Sequence, residues 1–107
     1  MSILDSIIEG VREDLNSRRL PLSQLHEELE RAPKVIEVIF PKDSMSVIAE
    51  VKRKSPSKGE LAEIPNPAKL ASLYQDAGAT AVSVLTEERR FNGSLKDFVE
   101  VRCALSI

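Results

Sequence analysis

The chain has 107 residues, of which 42% are apolar and 30% are charged, as is ordinary for a soluble globular protein. Its net charge of −2 provides no overall attraction to nucleic acid or to acidic membranes. Cys103 is the single cysteine, so an internal disulfide is impossible, and no apolar run approaches the roughly 18 residues of a membrane span. Asp5 and Glu9 interrupt any secretory signal pattern. We therefore expect a cytoplasmic protein in a reducing compartment.

Residues 1–44 predict a helical extension. Apolar residues recur at helical spacing over residues 3–19, and charged residues occupy the opposite face. Pro21 breaks this helix, and Ser23 is a suitable cap for a second one. The apolar stretch 35–40 fits either a helical turn or an edge strand, and periodicity does not decide between them. We interpret the extension as a packing unit for the following sheet rather than as a partner-binding helix.

Two strands are predicted at residues 45–52 and 80–86, each followed by a helix. This order favours parallel strands and an α/β fold. The loop of residues 53–65 contains Pro56, Gly59 and Pro65. A loop of this length after a strand is usually functional or mobile.

The two helices of this part have clear start signals. Asn66 can cap the first one, with Pro67 at its first position and Gly78 at its end. Ser94 with Asp97 three residues later resembles a capping box for the second one, which runs to about residue 104. Leu70, Leu73 and Tyr74 are predicted to form the inner face of the first helix, and Cys103 is predicted to pack on the second.

Glu50 and Lys52 share one face of the first predicted strand, roughly 6.5–7 Å apart along it. Charges are costly in a core, so this strand end should open into a polar pocket, where α/β folds built on parallel strands bind ligands. The two groups could act as an acid/base pair, or they could form a structural ion pair.

The other polar groups are less specific. The basic cluster of residues 53–58 is either a solvated loop or a nucleic-acid patch, and the lack of interleaved aromatic residues favours the first. Phe91 lies in a polar loop and must fold onto another part of the protein. The charges of residues 87–90 are interpreted as a solvated run that orders this loop. His26 stands alone among glutamates, without zinc-site spacing, so no metal site is predicted.

Two stretches carry a family resemblance. Residues 48–57, IAEVKRKSPS, resemble the first barrel strand and loop of the indole-3-glycerol phosphate synthase family. Residues 82–94, VSVLTEERRFNGS, resemble its second strand and loop, in the same order and at close to the same spacing. The resemblance implies the N-terminal portion of a TIM (β/α)8 barrel: the helical extension 1–44, then a partial barrel over residues 45–107 with two βα units and the start of a third strand.

The resemblance also implies a reaction. Family members convert 1-(2-carboxyphenylamino)-1-deoxyribulose 5-phosphate to indole-3-glycerol phosphate with loss of carbon dioxide and water, as a lyase of tryptophan biosynthesis, without a metal or an organic cofactor. Glu50 and Lys52 match catalytic positions. Ser55, Pro56 and Phe91 match substrate-binding positions, and Ser83 and Leu85 are weaker matches that would line the same pocket.

A complete barrel of this type needs about 250 residues. The family's general-acid lysine lies on the third strand, a further glutamate lies on the fourth, and much of the phosphate site follows the last two strands. We therefore expect the 107-residue chain to be inactive alone and to be poorly stable or self-associating. The expected partners are the phosphorylated substrate and the missing C-terminal barrel segment, with no nucleic acid or membrane. The alternative is a non-catalytic interaction module that pairs through its open strand edge.

Overall fold

The computed structural model describes residues 1–107, which divide into two units, Met1–Ile36 and Glu37–Ile107. The first unit contains helices α1 (Ile3–Arg18) and α2 (Leu22–Arg31). The second contains strands β1 (Ile48–Val51), β2 (Lys54–Ser55), β3 (Gly59–Glu60) and β4 (Ala81–Val84), and helices α3 (Pro67–Asp76) and α4 (Leu95–Ala104). The division into an extension of residues 1–44 and a barrel portion of residues 45–107 stays a prediction. None of the helices is long and apolar enough to cross a membrane.

Helix α1 begins with a capping box. The Ser2 hydroxyl accepts a hydrogen bond from the Asp5 amide at 3.1 Å, and the Asp5 carboxylate accepts one from the Ser2 amide at 2.7 Å. These bonds satisfy amides that the first helical turn leaves unpaired. The Ser2 hydroxyl, followed by the Ser2 amide, lowers the pKa of the exposed Asp5 carboxyl.

Helix α2 begins one residue before the predicted cap. Pro21 is its N-cap, and no side chain caps the helix, so the prediction for Ser23 is wrong. The Pro21 carbonyl accepts the hydrogen bond of the Leu25 amide at 3.0 Å, and this bond places Ser23 inside the first turn. Residues 32–40 form neither the helical turn nor the edge strand that their apolar pattern allows.

Strands β1 and β4 pair in parallel, as predicted, so the second unit has the α/β class. Both strands are shorter than the predicted spans, but their hydrogen bonding continues past each end. The Thr80 amide donates to the Val47 carbonyl at 2.9 Å, and the Leu85 amide donates to the Val51 carbonyl at 3.1 Å. The register pairs Glu50 with Ser83.

The loop between β1 and α3 contains a small hairpin that was not among the predicted elements. Strands β2 and β3 pair in antiparallel fashion, with Ser55 opposite Gly59. The Ser55 hydroxyl accepts a hydrogen bond from the Lys58 amide at 3.1 Å, and Gly59 adopts a positive φ of 66°. The Arg53 carbonyl accepts the Leu61 amide at 2.9 Å. The turn is therefore held by a serine side chain, a glycine conformation and a backbone hydrogen bond, none of which hydrophobic periodicity reports.

The start signals of α3 and α4 are confirmed. The Asn66 side chain accepts from the Lys69 amide at 3.0 Å, and the Ser94 hydroxyl accepts from the Asp97 amide at 3.0 Å. Gly78 follows α3 with a φ of 101°, a conformation that suits glycine at a helix end. The Asp97 carboxylate, however, bonds to Arg53 instead of completing the predicted capping box.

The core lies between the sheet and the two helices. Its buried members are Val51, Ile64, Ala71 and Val101. Leu70 and Tyr74 pack against it as predicted, but Leu73 is exposed, because α3 turns Ala71 inward. Cys103 is also exposed, so its predicted packing role is wrong; Val101 is the residue through which α4 enters the core.

The last three residues do not form the predicted start of a third strand. Leu105 is extended but belongs to no strand ladder. The amides of Ser106 and Ile107 donate to the Gln75 side-chain oxygen at 2.8 and 3.2 Å. The Gln75 side chain on α3 thus accepts hydrogen bonds that the backbone of a neighbouring strand would otherwise accept.

Candidate active site

The charged pair predicted from the first strand lies at its carboxyl end. The Lys52 ammonium and the Glu50 carboxylate are 2.7 Å apart. Both side chains keep access to solvent, with 30% of Lys52 and 42% of Glu50 exposed. A pair exposed to this degree contributes about 1 kcal/mol or less to stability. A ligand with an anionic group could therefore separate the two at little cost.

The pair occupies the open face of the sheet. Val51 points into the core, whereas Ile48 and Glu50, on the other face of β1, are exposed. The parallel register brings Ser83 beside Glu50, and Ser83 is exposed as well. Leu85 follows two residues later, just beyond β4, and is half-buried. The structure thus places three of the predicted site residues, Glu50, Lys52 and Ser83, at one edge of the sheet.

Arg53 serves a different purpose from its basic neighbours. Its guanidinium donates two hydrogen bonds to the Asp97 carboxylate at 3.0 and 2.9 Å and a third to the Ile64 carbonyl. The hydrogen bond to Asp97 raises the pKa of Arg53, which keeps the guanidinium charged. Asp97 is buried, so this bidentate pair joins the end of β1 to the start of α4. The spacing of Ser94 and Asp97 predicts helix capping and does not indicate this pair.

Ser55 and Pro56 lie in the hairpin that follows this anchor. Ser55 is half-buried in β2, with its hydroxyl engaged by the Lys58 amide, and Pro56 is exposed in the turn. The contact of Ser55 and Pro56 with substrate stays a prediction. The hairpin nevertheless gives both residues a defined place after Lys52, since Arg53 is fixed on one side and Leu61 returns to the Arg53 carbonyl.

The second loop is organised by Glu87. One oxygen of its carboxylate accepts hydrogen bonds from the amides of Arg90 and Phe91, at 2.6 and 3.1 Å. Its backbone carbonyl accepts from the Gly93 amide at 2.9 Å. The other carboxylate oxygen is buried without a hydrogen-bond partner. The interpretation of Glu87 as solvated is therefore wrong, although the expectation that the charged run orders the loop is met at this residue.

Gly93 brings this loop onto the end of β4. Gly93 is buried, and a Cβ at this position would overlap the Leu85 carbonyl oxygen. Asn92 precedes it with a φ of 53°, a left-handed conformation that asparagine tolerates better than most residues. Phe91 is half-buried at the same loop. The close approach explains why the stretch needs glycine after the asparagine.

A shallow cleft of about 290 Å³ lies beside the two loops, lined in part by Arg53, Glu60, Ile64 and Asn92. It does not include Glu50 or Lys52, because their face of the sheet has no opposing wall in this chain. No group of three or more His, Cys, Asp or Glu side chains is arranged to hold a metal ion.

These features define a class of protein. Charged side chains and two loops gather where parallel strands of an α/β fold end, the edge at which such folds bind ligands.

Comparison with known proteins identifies the family. The family model described as indole-3-glycerol phosphate synthase matches residues 4–107. The chain belongs to the indole-3-glycerol phosphate synthase family.

Relatives named indole-3-glycerol phosphate synthase support this assignment. The protein of Mycolicibacterium gilvum is 53% identical over 110 residues, covering 99% of this chain and 40% of the relative. That of Kineococcus radiotolerans is 50% identical over 117 residues, covering 100% of this chain and 42% of the relative. That of Saccharopolyspora erythraea is 52% identical over 110 residues, covering 99% and 41%. The chain thus spans about 40% of the length of the curated relatives that it matches.

Proposed function

We propose that this chain supplies the first two βα units of a (β/α)8 barrel that catalyses the indole-3-glycerol phosphate synthase reaction. In that reaction the substrate 1-(2-carboxyphenylamino)-1-deoxyribulose 5-phosphate closes a ring and loses carbon dioxide and water. The observation that carries the proposal is the Glu50–Lys52 pair at the carboxyl end of β1, with Ser83 of β4 beside it. The family match over residues 4–107 supports it.

Lys52 is proposed to meet the anionic substrate. Its ammonium lies at the strand end, partly exposed, and is held only by the adjacent Glu50. A cation placed there stabilises negative charge on the substrate during ring closure and decarboxylation. Glu50 is proposed to orient both this ammonium and the substrate. Groups that are held in position before the substrate binds lower the activation barrier of the reaction substantially.

The two loops are proposed to form the substrate pocket. Phe91 would lie against the aromatic ring of the substrate, and Ser55 and Pro56 would border the pocket from the hairpin. Ser83 and Leu85 would line its wall on β4. The register that places Ser83 beside Glu50 supports this arrangement, as do the contacts that fix the Phe91 loop on the Leu85 carbonyl.

Activity is proposed to require the rest of the barrel. The sheet of this chain has two parallel strands, and the face that carries Glu50 and Lys52 is open. A closed pocket needs the opposing strands, and the general acid of the reaction is expected on one of them. We therefore propose that the 107-residue chain alone does not turn over substrate, and that its partners are the phosphorylated substrate and a segment that supplies strands three to eight.

A complementation assay tests this proposal. The chain is expressed in a tryptophan auxotroph that lacks the synthase, with and without a segment supplying strands three to eight, taken from the Mycolicibacterium gilvum relative. Growth only with both pieces is expected. A Lys52→Met variant should abolish growth, whereas Lys58→Met, which changes an exposed lysine of the same loop, should not. Growth with neither combination, or growth with the chain alone, would contradict the proposal.

A second candidate function is a non-catalytic interaction module. The observation that favours it is the apolar surface left exposed on the sheet, where 59% of Ile48 is accessible. An open parallel strand edge can pair with another chain. Tight self-pairing that excludes the complementing segment would favour this candidate over the first.

Nucleic-acid binding and membrane association are not proposed. Arg53, the first residue of the basic cluster, directs its guanidinium to Asp97 and the Ile64 carbonyl, so this guanidinium is not directed towards solvent as a phosphate-binding group would be. A cytoplasmic location is proposed because the reaction belongs to a biosynthetic pathway. No binding in a titration with duplex and single-stranded nucleic acid is the expected result.

A further inference from the structure

We propose that Glu87 is the positioning residue for Phe91. Its carboxylate fixes the backbone of the second loop and thereby sets the place of the phenyl ring in the proposed substrate pocket. This inference rests on the proposed function for its catalytic consequence. The role differs from that proposed for Glu50 and Lys52, because the Glu87 carboxylate is bonded to the backbone of the residue that it positions.

The hydrogen bonds of the loop converge on this one side chain. A single carboxylate oxygen accepts the amides of two consecutive residues, Arg90 at 2.6 Å and Phe91 at 3.1 Å. Bonds to an ionised acceptor are roughly twice as strong as bonds between neutral groups. The Phe91 amide is thus tied directly to a side chain that begins three residues after β4 ends at Val84.

The backbone of Glu87 closes the same loop. Its carbonyl accepts the Gly93 amide at 2.9 Å, and the carbonyl of Glu88 accepts the Asn92 amide at 3.1 Å. Gly93 in turn sits on the Leu85 carbonyl without room for a Cβ. Phe91 therefore lies in a loop whose two ends are both fixed, and the Glu87 carboxylate is the group that accepts the hydrogen bond of its amide.

The burial of this carboxylate determines which substitutions can test its role. Glu87 is half-buried, and its second oxygen is shielded from solvent with no partner. A buried acceptor without a donor is costly, and the two amide hydrogen bonds to the other oxygen offset this cost. Glutamine keeps an acceptor oxygen but loses the charge, alanine loses both, and Glu88 offers a matched control because it is an exposed carboxylate one residue away.

The experiment combines hydrogen exchange with kinetics. Exchange of the peptide spanning residues 87–93 is followed by mass spectrometry in the chain alone and in its mixture with the complementing segment. Glu87→Ala should accelerate exchange of the loop amides about tenfold or more, since bonds to charged groups are lost. Glu87→Gln should lie between this variant and the parent, and Glu88→Ala should match the parent. Exchange in Glu87→Ala equal to that in Glu88→Ala would overturn the inference, whatever the activity.

Kinetics of the mixture test the catalytic consequence. Glu87→Ala and Phe91→Ala should each raise KM about tenfold or more and change kcat less, because a ring contact binds substrate before and during the reaction alike. The double variant should be no worse than Phe91→Ala, since both changes remove one contact. Additive effects of the two changes would overturn the positioning role. A parent mixture without turnover would instead contradict the proposed function, and exchange would still decide the role of Glu87.

Discussion

The Glu50–Lys52 pair is proposed to act in the reaction and is expected to contribute little to folding stability. Its two charges are 2.7 Å apart and partly exposed, so solvent weakens their attraction. The pair lies at the carboxyl end of β1, and parallel α/β folds bind their ligands at this end of the strands. We expect the two roles to separate experimentally.

Lys52→Met and Glu50→Gln should each lower kcat/KM of the reconstituted enzyme by about 10²–10⁴-fold, the usual loss when a positioned acid, base or charge is removed. The free energy of unfolding should change by less than about 1 kcal/mol, because the ion pair is partly exposed. Steady-state kinetics and urea denaturation measure the two quantities. Lys58→Met serves as the control. A loss of activity that merely follows a loss of stability would contradict the assignment.

The Arg53–Asp97 pair, unlike the Glu50–Lys52 pair, should contribute to folding stability. Asp97→Asn removes the charge that receives both guanidinium bonds of a mostly buried pair, at a cost of about 2 kcal/mol. The urea midpoint of the chain, measured at low micromolar concentration, should fall accordingly. Lys96→Ala, which breaks an exposed pair with Glu100 at 3.8 Å, is the control and should change stability by less than about 0.5 kcal/mol. Equal midpoints for the two variants would contradict this account.

The pH dependence of this pair has a definite sign on the arginine side. Asp97 raises the pKa of Arg53. The stabilising contribution of the ion pair is therefore complete at any pH below the unfolded pKa of arginine, and it is lost only as the pH rises through the higher folded pKa. Titration of Arg53 should leave stability unchanged across the neutral range.

Among the elements, α1 has a start that depends on pH. The hydrogen bonds from Ser2 lower the pKa of Asp5 in the folded helix. Their stabilising effect is present above the unfolded pKa of aspartate, about 3.9, and is lost as the pH falls through the lower folded value. Amide exchange in the first turn of α1 should therefore quicken as the pH is taken below about 4, relative to intrinsic rates. Ser2→Ala should remove most of this dependence, and an unchanged profile in that variant would contradict the capping box as its cause.

The end of β4 depends on a glycine for a steric reason. Gly93→Ala would drive a methyl group into the Leu85 carbonyl, a backbone atom that cannot turn aside. We expect a loss of about 1–3 kcal/mol and a displaced Phe91 loop. Gly59→Ala is the comparison, since its space is open and only its φ of 66° opposes a side chain, at a cost of about 1 kcal/mol. Urea denaturation of both variants should rank Gly93→Ala as the more damaging, and the reverse order would contradict the close approach.

Local signals in the sequence predicted the elements well where the chemistry is local. Asn66 and Ser94 cap their helices, and Pro67 opens α3, because each of these roles needs only neighbouring backbone amides. The parallel pairing of β1 and β4 followed from the order of strand and helix. The Glu50–Lys52 pair followed from the two-residue period of a strand.

Contacts between distant residues could not be predicted in this way. Asp97 fits a capping box equally well, and only the folded chain brings it to Arg53, which lies 44 residues earlier. Glu87 looks like one member of a solvated run, yet the turn of the loop places its carboxylate beneath two amides. Leu73 follows the apolar period of α3, but small Ala71 occupies the core side instead. In each case a long-range or loop contact overrode a local preference.

At the scale of the whole molecule, the chain exposes surfaces that a closed barrel would cover. Val47 and Ile48 of the sheet are both more than half exposed. A two-stranded parallel sheet is unusual without strands on its edges and layers on both faces. The expected result is a chain of low stability that associates with itself, and whose association is displaced by a segment that supplies the remaining strands. Sedimentation velocity over a range of concentrations measures this, and a chain that stays monomeric at high concentration would contradict it.

The most direct test of the central claim is the rate of indole-3-glycerol phosphate formation by purified pieces. The 107-residue chain, the segment carrying strands three to eight, and their mixture are each given 1-(2-carboxyphenylamino)-1-deoxyribulose 5-phosphate. The account predicts no turnover by either piece alone, turnover by the mixture, and loss of that turnover by about 10²-fold or more with Lys52→Met. Turnover by the chain alone, or a mixture that assembles tightly and remains inactive, would contradict the claim that this chain carries one part of the synthase active site.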